Sequence, residues 1–243
     1  MRYRFVDCRW ALGQPERGRE LFLESHIPGA SFLDLESDLS DLSVEGMGRH
    51  PLPSAERFSA SASWAGIGPD TFVVAYDGGM DGGAARLWWL LRHFGHTDAA
   101  VLDGGIGAWR GPLRGGEEDV KPGAFSARER SDDTITAEEL AARLDDERLL
   151  VLDARSPERY RGAAVIDPVG GRIPGARNLP FTDAAAIPAD VLGEPELAVY
   201  CGSGVTACVD LLALALRGRP DARLYPGSWS DWSSRGLPLE RDY

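Results

Sequence analysis

The stretch ELAVYCGSGVTACVDLLALALRG, residues 196–218, decides how the chain is read. It opens with a short β-rich run, ELAVY. A loop with two glycines and a serine follows, then VTACVDLLALALRG, which is apolar on nearly every face. The run reads as a buried strand and the long segment as a buried helix ending near Gly218. Working outward, RLLVLDA at 148–154 reads as a second buried strand. TAEELAARL before it reads as a helix, with Thr136 as N-cap and Glu139 closing a capping box. Strands alternating with helices predict an α/β fold with a mainly parallel sheet flanked by helices on both faces.

The same blocks occur earlier in the chain and in the same order. VDCR, ending at Arg9, matches LDAR, ending at Arg155, and HIPGA at 26–30 matches RIPGA at 172–176. VVAYDGG at 73–79 matches LAVYCGS at 197–203, and LDGGIGAW at 102–109 matches YPGSWSDW at 225–232. Two tandem domains are therefore expected: 1–115, a linker at 116–132 rich in Gly, Pro and charge, and 133–243. The first copy carries a longer insertion, including the polar, turn-rich SDLSVEGMGRHPLP. Its first strand begins almost at Met1, without the leading helix of the second copy.

Composition bounds the function. The chain has 243 residues, 43% of them hydrophobic and 26% charged, as a globular protein does. A net charge of −12 speaks against a nucleic-acid partner. No apolar run reaches the ~18 residues of a membrane span, and no signal-peptide layout opens the chain, so no membrane association is expected. Three cysteines make no disulfide framework, which points to a reducing cytoplasm. The four histidines show no metal-ligand spacing, and nothing in the sequence demands a metal or an organic cofactor.

The loop at Cys201 carries the chemistry. In open α/β sheets, sites form at the carboxyl ends of strands. Gly202 and Gly204 allow a sharp turn that exposes the backbone amides, and successive N–H groups along Gly202, Gly204, Val205 and Thr206 can converge into an anion-holding nest. The N-terminus of the next helix adds positive potential, and Thr206 offers a cap or a hydroxyl. A thiol in such a field ionises readily, and the thiolate is the nucleophile. Cys8, in a strand, and Cys208, inside an apolar helix, read as packing residues.

Taken together, CGSGVTA after an apolar strand, the repeated HIPGA and Asp-x-Arg blocks, LDGG and GSWSDW resemble tandem-domain rhodanese-type sulfurtransferases over nearly the whole chain. The CGSGVT form is similar to that of 3-mercaptopyruvate sulfurtransferases. The resemblance implies that a sulfane sulfur passes from an anionic donor, 3-mercaptopyruvate in preference to thiosulfate, through a Cys201 persulfide to cyanide or another thiol. This is covalent ping-pong catalysis. Asp77 stands where the second copy has Cys201, which makes the first copy the inactive partner. The resemblance assigns His26 to a proton relay with Ser203; Glu16 and Glu20 are the candidates for its acidic partner. It also points to Arg159, in RSPERYRG, as the donor-binding arginine, with Arg161 and Arg172 as further candidates. The loop AAVIDPVGG lacks the arginine that relatives carry there. Arg155 reads as the partner of a buried acid. Trp229 and Trp232 are candidates for a rim over Cys201, with ordinary packing the other reading, and Trp88 and Trp89 read as core packing.

Three rivals remain at this stage. A phosphatase of the same fold would need an arginine at the Cys-x5-Arg position, which is Ala207. A noncatalytic sulfur-relay or binding module is the second rival, and the retained Cys201 favours an enzyme over it. A redox pair of Cys201 and Cys208 would strain the helix start.

Overall fold

The structure is a computed structural model and describes residues 2–79, 81–163 and 166–242. The apolar runs form two four-stranded sheets in which every pairing is parallel. The first contains β1 (Arg2–Asp7), β2 (Ser31–Phe32), β3 (Thr71–Tyr76) and β4 (Ala99–Val101), in the order β2-β1-β3-β4. The second contains β5 (Leu149–Asp153), β6 (Arg177–Asn178), β7 (Glu196–Tyr200) and β8 (Arg223–Leu224), in the order β6-β5-β7-β8. The repeated blocks thus fold into the same topology twice. In each sheet the connections run to opposite sides of the first strand, so the switch point lies between the two central strands, where α/β sheets form their sites.

The helices fall between the strands. They are α1 (Arg17–Glu24), α2 (Ala55–Trp64), α3 (Gly83–His93), α4 (Gly105–Ala108), α5 (Ala137–Ala141), α6 (Pro157–Arg161), α7 (Ala189–Gly193), α8 (Ala207–Leu216) and α9 (Ser228–Ser234). The capping box at Thr136 forms, with its side chain accepting the Glu139 N–H at 3.1 Å. Trp88 and Trp89 are buried on α3. In the second unit, Val151 and Ala198 on the central strands pack with Ile173, Tyr200, Trp229 and Trp232.

Each unit carries the same internal brace. Asp7 and Arg9, and likewise Asp153 and Arg155, form buried forked pairs at the end of the first strand. This is the structural part expected of Arg155, and a charge so deep in the fold needs such a partner. Tyr76 and Tyr200, one residue before the equivalent loops, accept the backbone N–H of Ile27 and Ile173. The two IPGA blocks are therefore docking points of the fold.

The division into units departs from the sequence boundaries in two places. Unit 1 holds the chain to Asp41 and Leu52–Arg130; unit 2 holds Leu42–Pro51 and the chain from Ser131. Much of the expected linker at 116–132 thus belongs to unit 1. Gly123 donates to Ser63 O at 2.7 Å, Arg128 to Phe94 O at 3.0 Å and Arg130 to His93 O at 2.9 Å. A polar, Pro-rich strip still has backbone donors to satisfy, and loop carbonyls at helix ends supply the partners. The polar insertion of the first copy gives residues 42–51 to unit 2, where they meet the Cys201 loop.

Candidate active site

Cys201 stands directly after β7, at the carboxyl end of a central strand. It is more enclosed than a loop position suggests, with 2% of the residue exposed. Its backbone is held from two sides. The Cys201 N–H donates to Ser228 Oγ at 3.1 Å, and Trp229 N–H donates to Cys201 O at 3.0 Å. Ser228 has φ of 53°, in the left-handed region that L-residues rarely adopt, and its hydroxyl donates to Tyr225 O at 2.9 Å. A non-glycine residue is kept in this conformation where it fixes the nucleophile's amide.

The sulfur lies in the expected nest. Gly204 N–H donates to Cys201 Sγ at 3.2 Å. Burial pushes the thiol pKa up, but the Thr206 hydroxyl, the amides of Ser203 and Ala207 and the charge of Arg159 outweigh it, so the thiol stands below its ordinary value. Thr206 stands at the N-cap of α8 but its hydroxyl makes no capping hydrogen bond and serves the sulfur instead. Gly204 has φ of 79°, and a Cβ there would run into Pro226 O. Val205 is buried under the loop.

Two guanidinium groups converge on the same loop. A Cβ at Gly202 would stand 2.6 Å from Arg159 Nη2 and 2.8 Å from Arg49 Nη2, so glycine leaves room for both. Arg159 is on the short helix α6, while Arg49 comes from the 42–51 segment, with its N–H donating to Ser230 Oγ at 3.1 Å. Both arginines also pair with Asp167. The next residue, His50, is buried and places Nδ1 2.8 Å from Ser203 Oγ.

Several expected site residues lie elsewhere. His26 is not the partner of Ser203. It is fully buried in unit 1, stacked on Phe22, with its ring nitrogens 2.7 Å from Phe22 O and 3.2 Å from Glu118 Oε1. Its carboxylate neighbour is Glu118, not Glu16 or Glu20. Arg172 is also engaged: it stacks over Tyr160 and bonds Glu240 and Asp242. Its backbone pairs with Glu240 just as that of His26 pairs with Arg114, so both positions anchor a returning strap. Arg161 lies on a helix rather than a strand and pairs across the surface with Glu158 at 3.9 Å. Two positions along a helix is about half a turn, which sends it away from Arg159. Trp229 and Trp232 are core residues, and Trp229 Nε1 donates to Val169 O at 2.8 Å.

Arg49, His50, Asp167 and Ser228 were missed in the sequence. Arg49 and His50 do have a signal: they sit in the one insertion that the second copy lacks. Cys208 donates weakly to Gly204 O at 3.4 Å, and Cys8, Cys201 and Cys208 form no disulfide with one another. Among the described residues there is no cluster of three or more His, Cys, Asp or Glu that could hold a metal.

Comparisons with known proteins bear on the family and the fold. The profile of the rhodanese-like domain matches residues 2–111 and again 136–235. A probable 3-mercaptopyruvate sulfurtransferase of Pseudomonas aeruginosa is 44% identical, over 93% of this chain and 88% of its own. A putative thiosulfate sulfurtransferase of Mycobacterium tuberculosis is 40% identical, over 94% of this chain and 87% of its own. The crystal structure of a 3-mercaptopyruvate sulfotransferase from Escherichia coli superposes with a TM-score of 0.81 at 33% identity, covering 94% of this chain and 93% of the other.

Proposed function

The chain belongs to the rhodanese family as two rhodanese-like domains in tandem, and we propose that it is a sulfurtransferase in which Cys201 takes a sulfur atom from 3-mercaptopyruvate or thiosulfate and passes it to a thiophilic acceptor. The observation that carries this reading is the Cys201 sulfur held by Gly204 N–H, with a lowered pKa, beneath Arg49 and Arg159. A thiolate, amide donors and cations are together the parts needed to receive an anionic sulfur donor.

The arginines dock the donor's anionic end and turn its sulfur toward the loop. The Cys201 thiolate attacks that sulfur, forming the S–S bond of a persulfide. With 3-mercaptopyruvate, the C–S bond breaks and its electron pair goes to carbon, leaving the pyruvate enolate, which must take a proton. The Ser203–His50 pair is the group beside the loop suited to deliver it. With thiosulfate, the S–S bond breaks and sulfite leaves with the pair. The same amides then stabilise the persulfide anion. Cyanide attacks its outer sulfur, leaves as thiocyanate and returns the thiolate; a thiol acceptor leaves as a persulfide. No step calls for a metal or an organic cofactor. A reducing cytoplasm suits such a thiolate, and no helix among the described residues is long and apolar enough to cross a membrane.

The relatives named above are sulfurtransferases, which favours this reading over a noncatalytic relay. The test is the intact mass of the protein after brief exposure to donor without acceptor. The expected result is a gain of one sulfur atom at residue 201, removed by cyanide and missing in Cys201→Ser. A native protein that gains no mass with either donor would sink the reading.

A further inference from the structure

The loop between α6 and β6 holds a carboxylate where donor anions are expected to dock. The Asp167 side chain is 4% exposed and makes two ion pairs. Its Oδ1 meets Arg49 and its Oδ2 lies 3.4 Å from Arg159 Nη2, so one oxygen faces each guanidinium. The arginine side chains are 33% and 20% exposed, and both lie against Gly202. Downstream of Asp167 the backbone is held by Arg241, which donates to Gly170 O at 2.8 Å, and by Arg155, which donates to Gly171 O at 2.7 Å. Asp167 is therefore built into the site rather than a passing surface charge.

This arrangement has a charge consequence. Two guanidinium groups less one carboxylate leave a single positive charge beside the sulfur, and none in excess once Cys201 is ionised. The other nearby arginine, Arg155, is already neutralised by Asp153. A donor with one negative charge adds the smallest excess an anionic donor can bring to this balance, and its planar carboxylate fits the part of each guanidinium still exposed beside Asp167. A tetrahedral dianion such as thiosulfate brings a second charge into a half-buried site with nothing left to balance it.

We propose that Asp167 sets donor selectivity: as a fixed counter-charge shared by Arg49 and Arg159, it reserves the site for monoanionic carboxylate donors and disfavours dianionic ones. This rests on the sulfurtransferase reading. Asp167 is a specificity-determining residue that acts through the two arginines.

The test is kcat/KM for 3-mercaptopyruvate and for thiosulfate, with cyanide as acceptor, in the native protein, D167N and D167E. In D167N the ratio of thiosulfate to 3-mercaptopyruvate efficiency should rise by about tenfold, chiefly through the thiosulfate KM, and the rise should shrink as salt is added. D167E should keep the native ratio. If both donors change by the same factor in D167N, Asp167 only supports the loop and the proposal falls while the reaction class stands. If the native protein turns over neither donor, the reaction class falls and the proposal with it. A measurement on the native protein alone covers the case of a variant that does not fold. Pyruvate, a monoanion, should compete with 3-mercaptopyruvate more tightly than sulfate does; tighter inhibition by sulfate would overturn the proposal.

Discussion

The two loops that follow β3 and β7 are one design with two contents. After β7 the amides serve a sulfur, with Gly204 N–H at 3.2 Å from Cys201 Sγ. After β3 the equivalent position is Asp77, whose carboxylate fills its own cradle. It accepts Gly79 N–H at 2.8 Å and Ala84 N–H at 3.1 Å. A second carboxyl, Asp81, accepts Gly78 N–H at 3.0 Å and stands where the active loop has Val205. Burial and the Asp77 charge push Asp81 up to about 7. Cys8, close by, has its thiol pushed well up, first by burial and then by Asp7, Asp77 and Asp81. In both loops main-chain amides surround the side chain that follows the strand. The side chain inside decides whether the loop holds an inert carboxyl group or a sulfur that can accept another atom.

The comparison can be broken most forcefully at its centre. Cys201→Ser should lower kcat by at least about 10⁴-fold, as loss of a covalent nucleophile does. Asp77→Cys in that background should restore no turnover, because Asp81 remains beside the new thiol and opposes its ionisation. Measurable donor-dependent turnover in the double variant would show that the amide cradle alone suffices.

The two smaller tests concern the parts that only the active loop has. His50→Ala should reduce kcat with 3-mercaptopyruvate by about 10²-fold, the scale of general acid–base assistance, and affect thiosulfate far less, since sulfite needs no proton to leave. Equal losses with both donors would assign His50 a structural part. Arg159→Ala should raise KM for 3-mercaptopyruvate by about tenfold or more, from loss of a charge-assisted contact worth ~1.5–3 kcal/mol, with a lesser change in kcat.

The smallest effect is on stability and tests what lies behind the loop. Asp210 on α8 is fully buried, and neither carboxyl oxygen has a hydrogen-bond partner among the described residues. Burial first, and then Cys201, Asp153 and Asp183, push its pKa well up. The folded state therefore holds this proton more tightly than the unfolded chain. The contribution is full below the unfolded value of ~3.9 and is lost as pH rises toward the raised folded value. Asp210→Leu should stabilise the protein at neutral pH by about 1–3 kcal/mol and flatten that decline, read by thermal unfolding across pH. A destabilised variant with an unchanged pH profile would show that the carboxyl is paired in solution.

Much of the fold was legible because the chain repeats. Two apolar strands with the same sequence neighbours, the Asp-x-Arg ends and the Thr136 box each have a local physical cause, and local causes survive folding. The nucleophile was legible for the same reason, as a strand, glycines and a helix start are contiguous. The rest of the site was not. His50 and Arg49 reach Cys201 from about 150 positions earlier in the chain, through a polar insertion whose own pattern shows only turns. His26 drew attention as the HIPGA histidine, yet the repeat places it opposite Arg172, and both positions anchor a strap. Asp167 looked like a loop residue because a carboxylate held by two arginines leaves no trace in sequence spacing.

The central claim is that main-chain and hydroxyl donors hold the Cys201 thiol below its ordinary pKa despite its burial. The most direct measurement is the pH dependence of alkylation at residue 201, followed peptide by peptide so that Cys8 and Cys208 are counted apart. The account predicts a reactivity midpoint below the ~8.5 of a free cysteine. A midpoint at or above that value would contradict it.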